Sequence, residues 1–116
     1  MKHEDLDVFK CAPRPALRVY QVTRTFPREA TMGLRSQLRR AAVSVVANIA
    51  EGAGRFPSAE YRRFVGIAHG SAVEASYYLL LGYDLSYISK DDYEDLHNEY
   101  ENVCKMLTRL GQALMR

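Results

Sequence analysis

Between Tyr93 and Leu114, apolar side chains recur at steps of three and four through Leu96, Tyr100, Val103, Leu107 and Leu110. That spacing draws one apolar seam along an α-helix, whereas a strand needs alternation at every second residue. No segment sustains such two-residue alternation between turn residues, so the pattern predicts an all-α chain. Ser89 is placed to cap the first turn of this last helix. Asp92 three residues on can reach back, and Asp91 suits the positive helix end.

A second seam at the same spacing runs through Phe64, Ala68, Ser71, Ala75, Tyr78, Gly82 and Leu85, in a segment predicted over residues 58–87 with Ser58 as its cap. Small residues at Gly66, Ala68, Gly70, Ser71 and Ala72 face a matching thin set at Ala41, Ala42, Ser44, Ala47 and Ala50. Close packing of the second and third helices is therefore expected. Only residues 53–57 link them, which forces antiparallel neighbours, and Gly52 and Gly54 are natural C-terminal caps. The first segment, residues 6–24, carries Pro13 and Pro15, so a kink or fresh start is expected near residue 13. Phe26-Pro27 marks a break, and the second helix is expected to start near Arg28. The sum is an antiparallel up-and-down four-helix bundle with its first helix interrupted by prolines. At 116 residues, 1–116 form one domain that buries roughly two thirds of its unfolded surface.

Residues 36–55, SQLRRAAVSVVANIAEGAGR, carry two stripes on one helix. Leu34, Leu38, Ala41, Val45 and Ile49 form the apolar one. Gln37, Arg40, Ser44, Asn48, Glu51 and Arg55 form a polar one beside it. Charge is distributed unevenly as well: residues 1–63 hold twelve Lys/Arg against six Asp/Glu, and 64–116 hold four against eight. This suits either a basic face for nucleic acid or two halves that attract one another within the fold. The start, MKHEDLDVFK, has no continuous apolar segment, so neither a secretory signal nor a transit peptide is expected and the chain is assigned to the cytoplasm. The apolar run Ala75–Tyr83 falls short of the ~20 residues that span a bilayer. Cys11 and Cys104 make no metal or redox spacing and read as free packed thiols rather than a disulfide.

FPREATMGLRSQLRRAAVSVVANIAEGAGR, followed by FVGIAHGSAVEA, resembles the small four-helix-bundle protein family that includes proteins encoded in intervening sequences of bacterial large-subunit ribosomal RNA genes. The most specific parts are RRAAVSVVANIAEGAGR, Arg39 to Arg55, and GSAVE, Gly70 to Glu74. The resemblance implies a four-helix bundle that assembles into a homopentamer. Its relatives include accessory variability proteins that partner reverse transcriptases in diversity-generating retroelements. Pro13, Pro15, His69 and Ala75 depart from the family pattern.

Arg35, Arg39, Arg40, Arg55, Arg62 and Arg63 lie along or near the two central helices and could offer guanidinium groups to the phosphates of RNA or DNA. The alternative for these arginines is pairing with Glu51, Glu60 or Glu74, or a solvated face. Ser44, Asn48, Glu51, Gly52, Gly70 and Glu74 are assigned to contacts between helices or subunits. Tyr61, Tyr77, Tyr78, Tyr83 and Tyr87 suit core or interface positions and, alternatively, base stacking. Glu94 and His97 form Glu-x-x-His, but a di-iron bundle needs a second such pair and two more carboxylates, and the other helices supply none at that spacing. His3 and His69 stand alone, and no catalytic, cofactor or metal pattern can be assembled. The expectation is a non-enzymatic homo-oligomer that binds nucleic acid. The alternative is an assembly module partnering a reverse transcriptase or other nucleic-acid enzyme.

Overall fold

A computed structural model of the chain describes residues 8–115, apart from the side chain of Thr31. Leu6, the expected start of the first helix, and His3 lie outside the described residues. Among the described residues four helices follow one another: α1 (Pro13–Thr23), α2 (Ser36–Ala53), α3 (Ser58–Asp84) and α4 (Lys90–Ala113). No strand occurs among the described residues. Short links fold the helices into an up-and-down bundle around one apolar core, within 45 × 25 × 17 Å.

The fresh start expected near residue 13 is present. Residues 8–11 are helical, and the backbone stays helical at Ala12, whose amide donates to the Val8 carbonyl at 2.9 Å. α1 then begins at Pro13, so both prolines fall in its first turn, where a missing amide costs least. The second helix starts later than expected. Arg28–Ala30 form a 3₁₀ turn, Thr31–Arg35 a wide turn, and regular helix begins only at Ser36. The helical run is interrupted at Gly33, where φ is −111° and ψ −107°.

α2 buries Leu38, Ala41, Ala42, Val45 and Ile49, the apolar stripe expected of it with Ala42 added, while Leu34 is half-buried. α3 turns a different seam inward: Tyr61, Val65, Ala68, Ala72, Ala75, Leu79 and Gly82. Ala68, Ala75 and Gly82 belong to both sets, Phe64, Ser71 and Tyr78 are only half-buried, and Leu85 is exposed. Two heptad registers that share the Ala68, Ala75 and Gly82 column fit this helix because apolar residues lie nearly all round it. The α2–α3 contact is the most extensive in the bundle. Its thin surface comes from Ala41, Ala42, Ala68 and Ala72, whereas Ala47, Ala50, Gly66 and Gly70 are exposed.

Gly52 lies inside α2 rather than at its cap. A Cβ there would sit 2.8 Å from Phe64 Cβ and 3.0 Å from Tyr61 Cδ1, so the bare backbone is what lets α3 approach. Gly54 ends the helix at φ −88° and ψ 0°. Ser58 is the first residue of α3 and not its cap. That position belongs to Pro57, in extended backbone, with no side-chain cap bond. Ser86, at φ 65°, ends α3 and returns the Tyr87 amide to the Gly82 carbonyl at 2.8 Å. Ser89 caps α4 as expected, its hydroxyl accepting from the Asp92 amide at 3.1 Å. The Asp92 carboxylate instead meets Arg18 of α1 at 3.1 Å. Leu96, Tyr100, Val103, Leu107, Leu110 and Leu114 are buried, and Tyr93 is half-buried.

Candidate functional site

The last turn of a helix leaves carbonyls without amide donors. At the end of α1 two arginines fill that role. Arg35 Nε donates to the Thr23 carbonyl at 3.0 Å, and Arg35 Nη2 to the Phe26 carbonyl at 2.6 Å. Arg39 Nε donates to the Thr23 hydroxyl at 2.8 Å and its Nη2 to the Tyr20 carbonyl at 3.3 Å, while its Cζ lies 4.6 Å from the Tyr20 ring centroid. The Thr23 hydroxyl, wholly buried, itself donates to the Val19 carbonyl at 2.7 Å. Expected among the phosphate contacts, Arg35 and Arg39 are thus occupied in fastening α1 to α2. The acceptors of Arg39 are uncharged, and its guanidinium complements the negative end of α1.

Arg40, Arg55, Arg62 and Arg63 are exposed. Arg40 donates to Gln37 Oε1 at 2.5 Å, another uncharged partner. Arg55 pairs with Glu51 one turn back, and Arg63 with Glu60 at 3.0 and 3.3 Å. The Arg63 hydrogen bond holds the Glu60 carboxyl below its ordinary range, and Glu60 raises Arg63 in return. Between the two guanidiniums lies the Phe64 ring, 5.2 Å from Arg55 Cζ and 4.5 Å from Arg63 Cζ. Arg62 has no ion-pair partner among the described residues. It borders a groove of about 320 Å³ whose wall includes Gly66, His69, Thr108 and Gly111. The six arginines therefore divide: Arg55, Arg62 and Arg63 gather near the α2–α3 turn, Arg35 and Arg39 bind α1, and Arg40 lies roughly 22 Å along α2 from Arg55.

The polar stripe of α2 is partly satisfied within the hairpin. Ser44 and Ser71 share a hydrogen bond of 2.8 Å between helices, and Asn48 Nδ2 donates to the Ser44 carbonyl at 2.8 Å and hydroxyl at 3.0 Å. Glu51 meets Arg55. Glu74 accepts from the Tyr78 hydroxyl at 3.4 Å. Gly70 has open space where a Cβ would stand, so it makes no close approach within the subunit. Of the tyrosines, Tyr61 is buried, Tyr83 stacks on Tyr93 at 5.0 Å and Tyr87 lies against Phe26 at 5.3 Å, whereas Tyr77 is exposed beside Tyr78.

Glu94 and His97 do not converge. Glu94 lies 4.0 Å from Lys90, whereas His97 places Nε2 3.1 Å from Glu101 and Nδ1 3.1 Å from the Ser76 hydroxyl. No group of three or more His, Cys, Asp or Glu that could hold a metal occurs among the described residues. The Ser76–His97–Glu101 order was not legible from spacing, because Ser76 lies on another helix. Ser76 sits mid-helix, where neighbouring amides are committed to the ladder and offer no oxyanion donors. The cavity beside it, about 580 Å³, is bounded by Val73, Tyr77, Tyr100 and Lys105. Cys11 and Cys104 are free, and burial followed by Glu101 pushes the Cys104 thiol up. One surface residue carries no signal in the sequence pattern at all: Phe56, in the α2–α3 turn, is 96 % exposed.

The model of the family described as 23S rRNA-intervening sequence protein matches residues 4–109. Among solved structures, the chain is similar to a crystal structure of a protein of unknown function from the S23 ribosomal protein family of Bacteroides thetaiotaomicron. Sequence identity is 24%, the match covers 94% of this chain and 98% of that one, and the TM-score is 0.86. No curated protein matches the chain. No helix among the described residues is long and apolar enough to cross a membrane.

Proposed function

We propose that this chain, which belongs to the 23S rRNA-intervening sequence protein family, is a non-enzymatic cytoplasmic homo-oligomer that binds RNA or DNA through exposed arginines. The observation that carries the reading is the set of guanidiniums not neutralised by a carboxylate. Arg62 has no ionic partner among the described residues, and Arg40 bonds an amide oxygen. Arg55 and Arg63 keep donors beyond those their carboxylates use, since a guanidinium carries five N–H groups. Contacts of this kind read phosphate rather than base, so binding is sequence-tolerant.

Self-association is supported by apolar side chains left on two separate faces. On α3, Ile67, Val73, Tyr77 and Leu80 are exposed; on α1 and α2, Leu17, Tyr20 and Val43 line a groove of about 430 Å³. Two unlike faces on one subunit suit head-to-tail contacts that close into a ring, and the family resemblance implies five subunits in it. Joining subunits multiplies a modest field into a strong one. Titration with labelled RNA and DNA at low ionic strength tests the function: affinity falls steeply as salt is added, and absence of any salt-sensitive binding overturns it.

The α1–α2 groove also favours a second reading, in which the assembly docks a protein partner such as a reverse transcriptase and the arginines are secondary. An adjoining reverse-transcriptase gene with a template repeat would favour it, and a location inside a ribosomal RNA gene would not.

A further inference from the structure

Phe56 is 96 % exposed at the tip between α2 and α3, and no ring contact or cation–π contact holds it among the described residues. Its sequence neighbour Arg55 and the nearby Arg63 are both fixed against the Phe64 ring at 5.2 and 4.5 Å. Arg62, without an ion-pair partner among the described residues, follows on the same turn. The hairpin tip thus carries a bare aromatic side chain next to Arg55 in sequence, with Arg63 on the same Phe64 ring as Arg55 and Arg62 at the edge of the adjoining groove; Arg55 and Arg63 are positioned by packing and by Glu51 and Glu60. A single exposed apolar residue is ordinary on a protein surface. An exposed phenyl ring beside ordered cations is the combination that tracks unpaired nucleotides: bases stack on the ring, and phosphates meet the charges.

We infer that the α2–α3 tip is a single-strand clamp, in which Phe56 stacks on an unpaired base of RNA or DNA while Arg55, Arg62 and Arg63 hold the flanking phosphates. The inference rests on the nucleic-acid-binding reading and narrows its substrate class. Duplex is disfavoured because its base faces are already stacked, and drawing one out costs unpairing energy that a lone surface ring does not repay. Every base has a π face, so the clamp is tolerant of sequence.

The test compares a labelled single-stranded oligouridylate of about twelve nucleotides with an RNA duplex of the same length, using the full chain. Phe56→Ala weakens single-strand binding by about tenfold and leaves duplex binding within about twofold. Because the side chain is out of the core, the fold is unaffected by this change. Phe56→Trp keeps the affinity, and since the natural chain has no tryptophan, the indole fluorescence of this variant is quenched when the single strand binds. Salt-sensitive binding that is indifferent to Phe56, or equal losses on both ligands, overturns the clamp and leaves the general reading standing. Wild-type protein that binds neither ligand at low salt overturns both. Fluorescence of the F56W variant that responds to anionic vesicles and not to the oligonucleotide assigns the tip to a lipid surface and overturns the clamp.

Discussion

Residues of one chemical type carry different loads here, and the arginines separate most clearly. Arg39 joins a buried hydroxyl, a helix-terminal carbonyl and an aromatic ring in one contact, whereas Arg62 has no ion-pair partner among the described residues. Arg39→Ala leaves the Thr23 hydroxyl short of a donor and strips the end of α1, at a cost of about 1–3 kcal/mol. Arg62→Ala changes stability by less than about 0.5 kcal/mol. Urea unfolding of the two variants checks the contrast. Sequence could not draw this distinction. Arg35 and Arg39 reach across the Gly33 break to the Thr23 hydroxyl and to carbonyls that every residue possesses, and a charge in a one-dimensional pattern says nothing about which of these need it. The Arg55–Glu51 and Arg63–Glu60 pairs were legible, because helical spacing alone brings residues three or four apart together.

Elements were legible in proportion to how unevenly their apolar residues are distributed. α4 has one seam and a polar remainder, so its inward face followed from its period, and Ser89 marked its start by a local hydrogen bond. α3 is apolar on several sides, so its register was decided by tertiary fit, where Gly52 admits Phe64 and Tyr61. Gly52→Ala tests that fit. The new methyl meets Phe64 Cβ, which is anchored to backbone and cannot swing aside, so the helices must part and stability falls by about 1–3 kcal/mol. Thermal unfolding reads the loss. A substitution with no effect would mean that α2 and α3 are more loosely seated than this geometry states. The wide turn at Thr31–Arg35 escaped sequence analysis because the segment also fits a helical period, and only the Gly33 dihedral shows the break.

The whole molecule is an elongated bundle with charge and apolar surface left at different places: guanidiniums at the α2–α3 tip and side chains such as Val73 and Tyr77, 52% and 59% exposed, along the flank of α3. Self-association predicts that Val73→Glu combined with Tyr77→Glu preserves helix content by circular dichroism and returns the assembly to a 13.2 kDa protomer in light scattering. An unchanged assembly mass would remove the α3 flank from the contact. α1 stands apart from the central hairpin. It touches α2 and α4 far less extensively than α2 touches α3, the break at Gly33 separates it from α2, and arginines at both ends do much of the fastening. A rod fixed largely by polar ties, with a break at Gly33 before the next helix, can lift like a clasp while the inner hairpin stays shut, so its local opening comes more readily than that of α2 or α3.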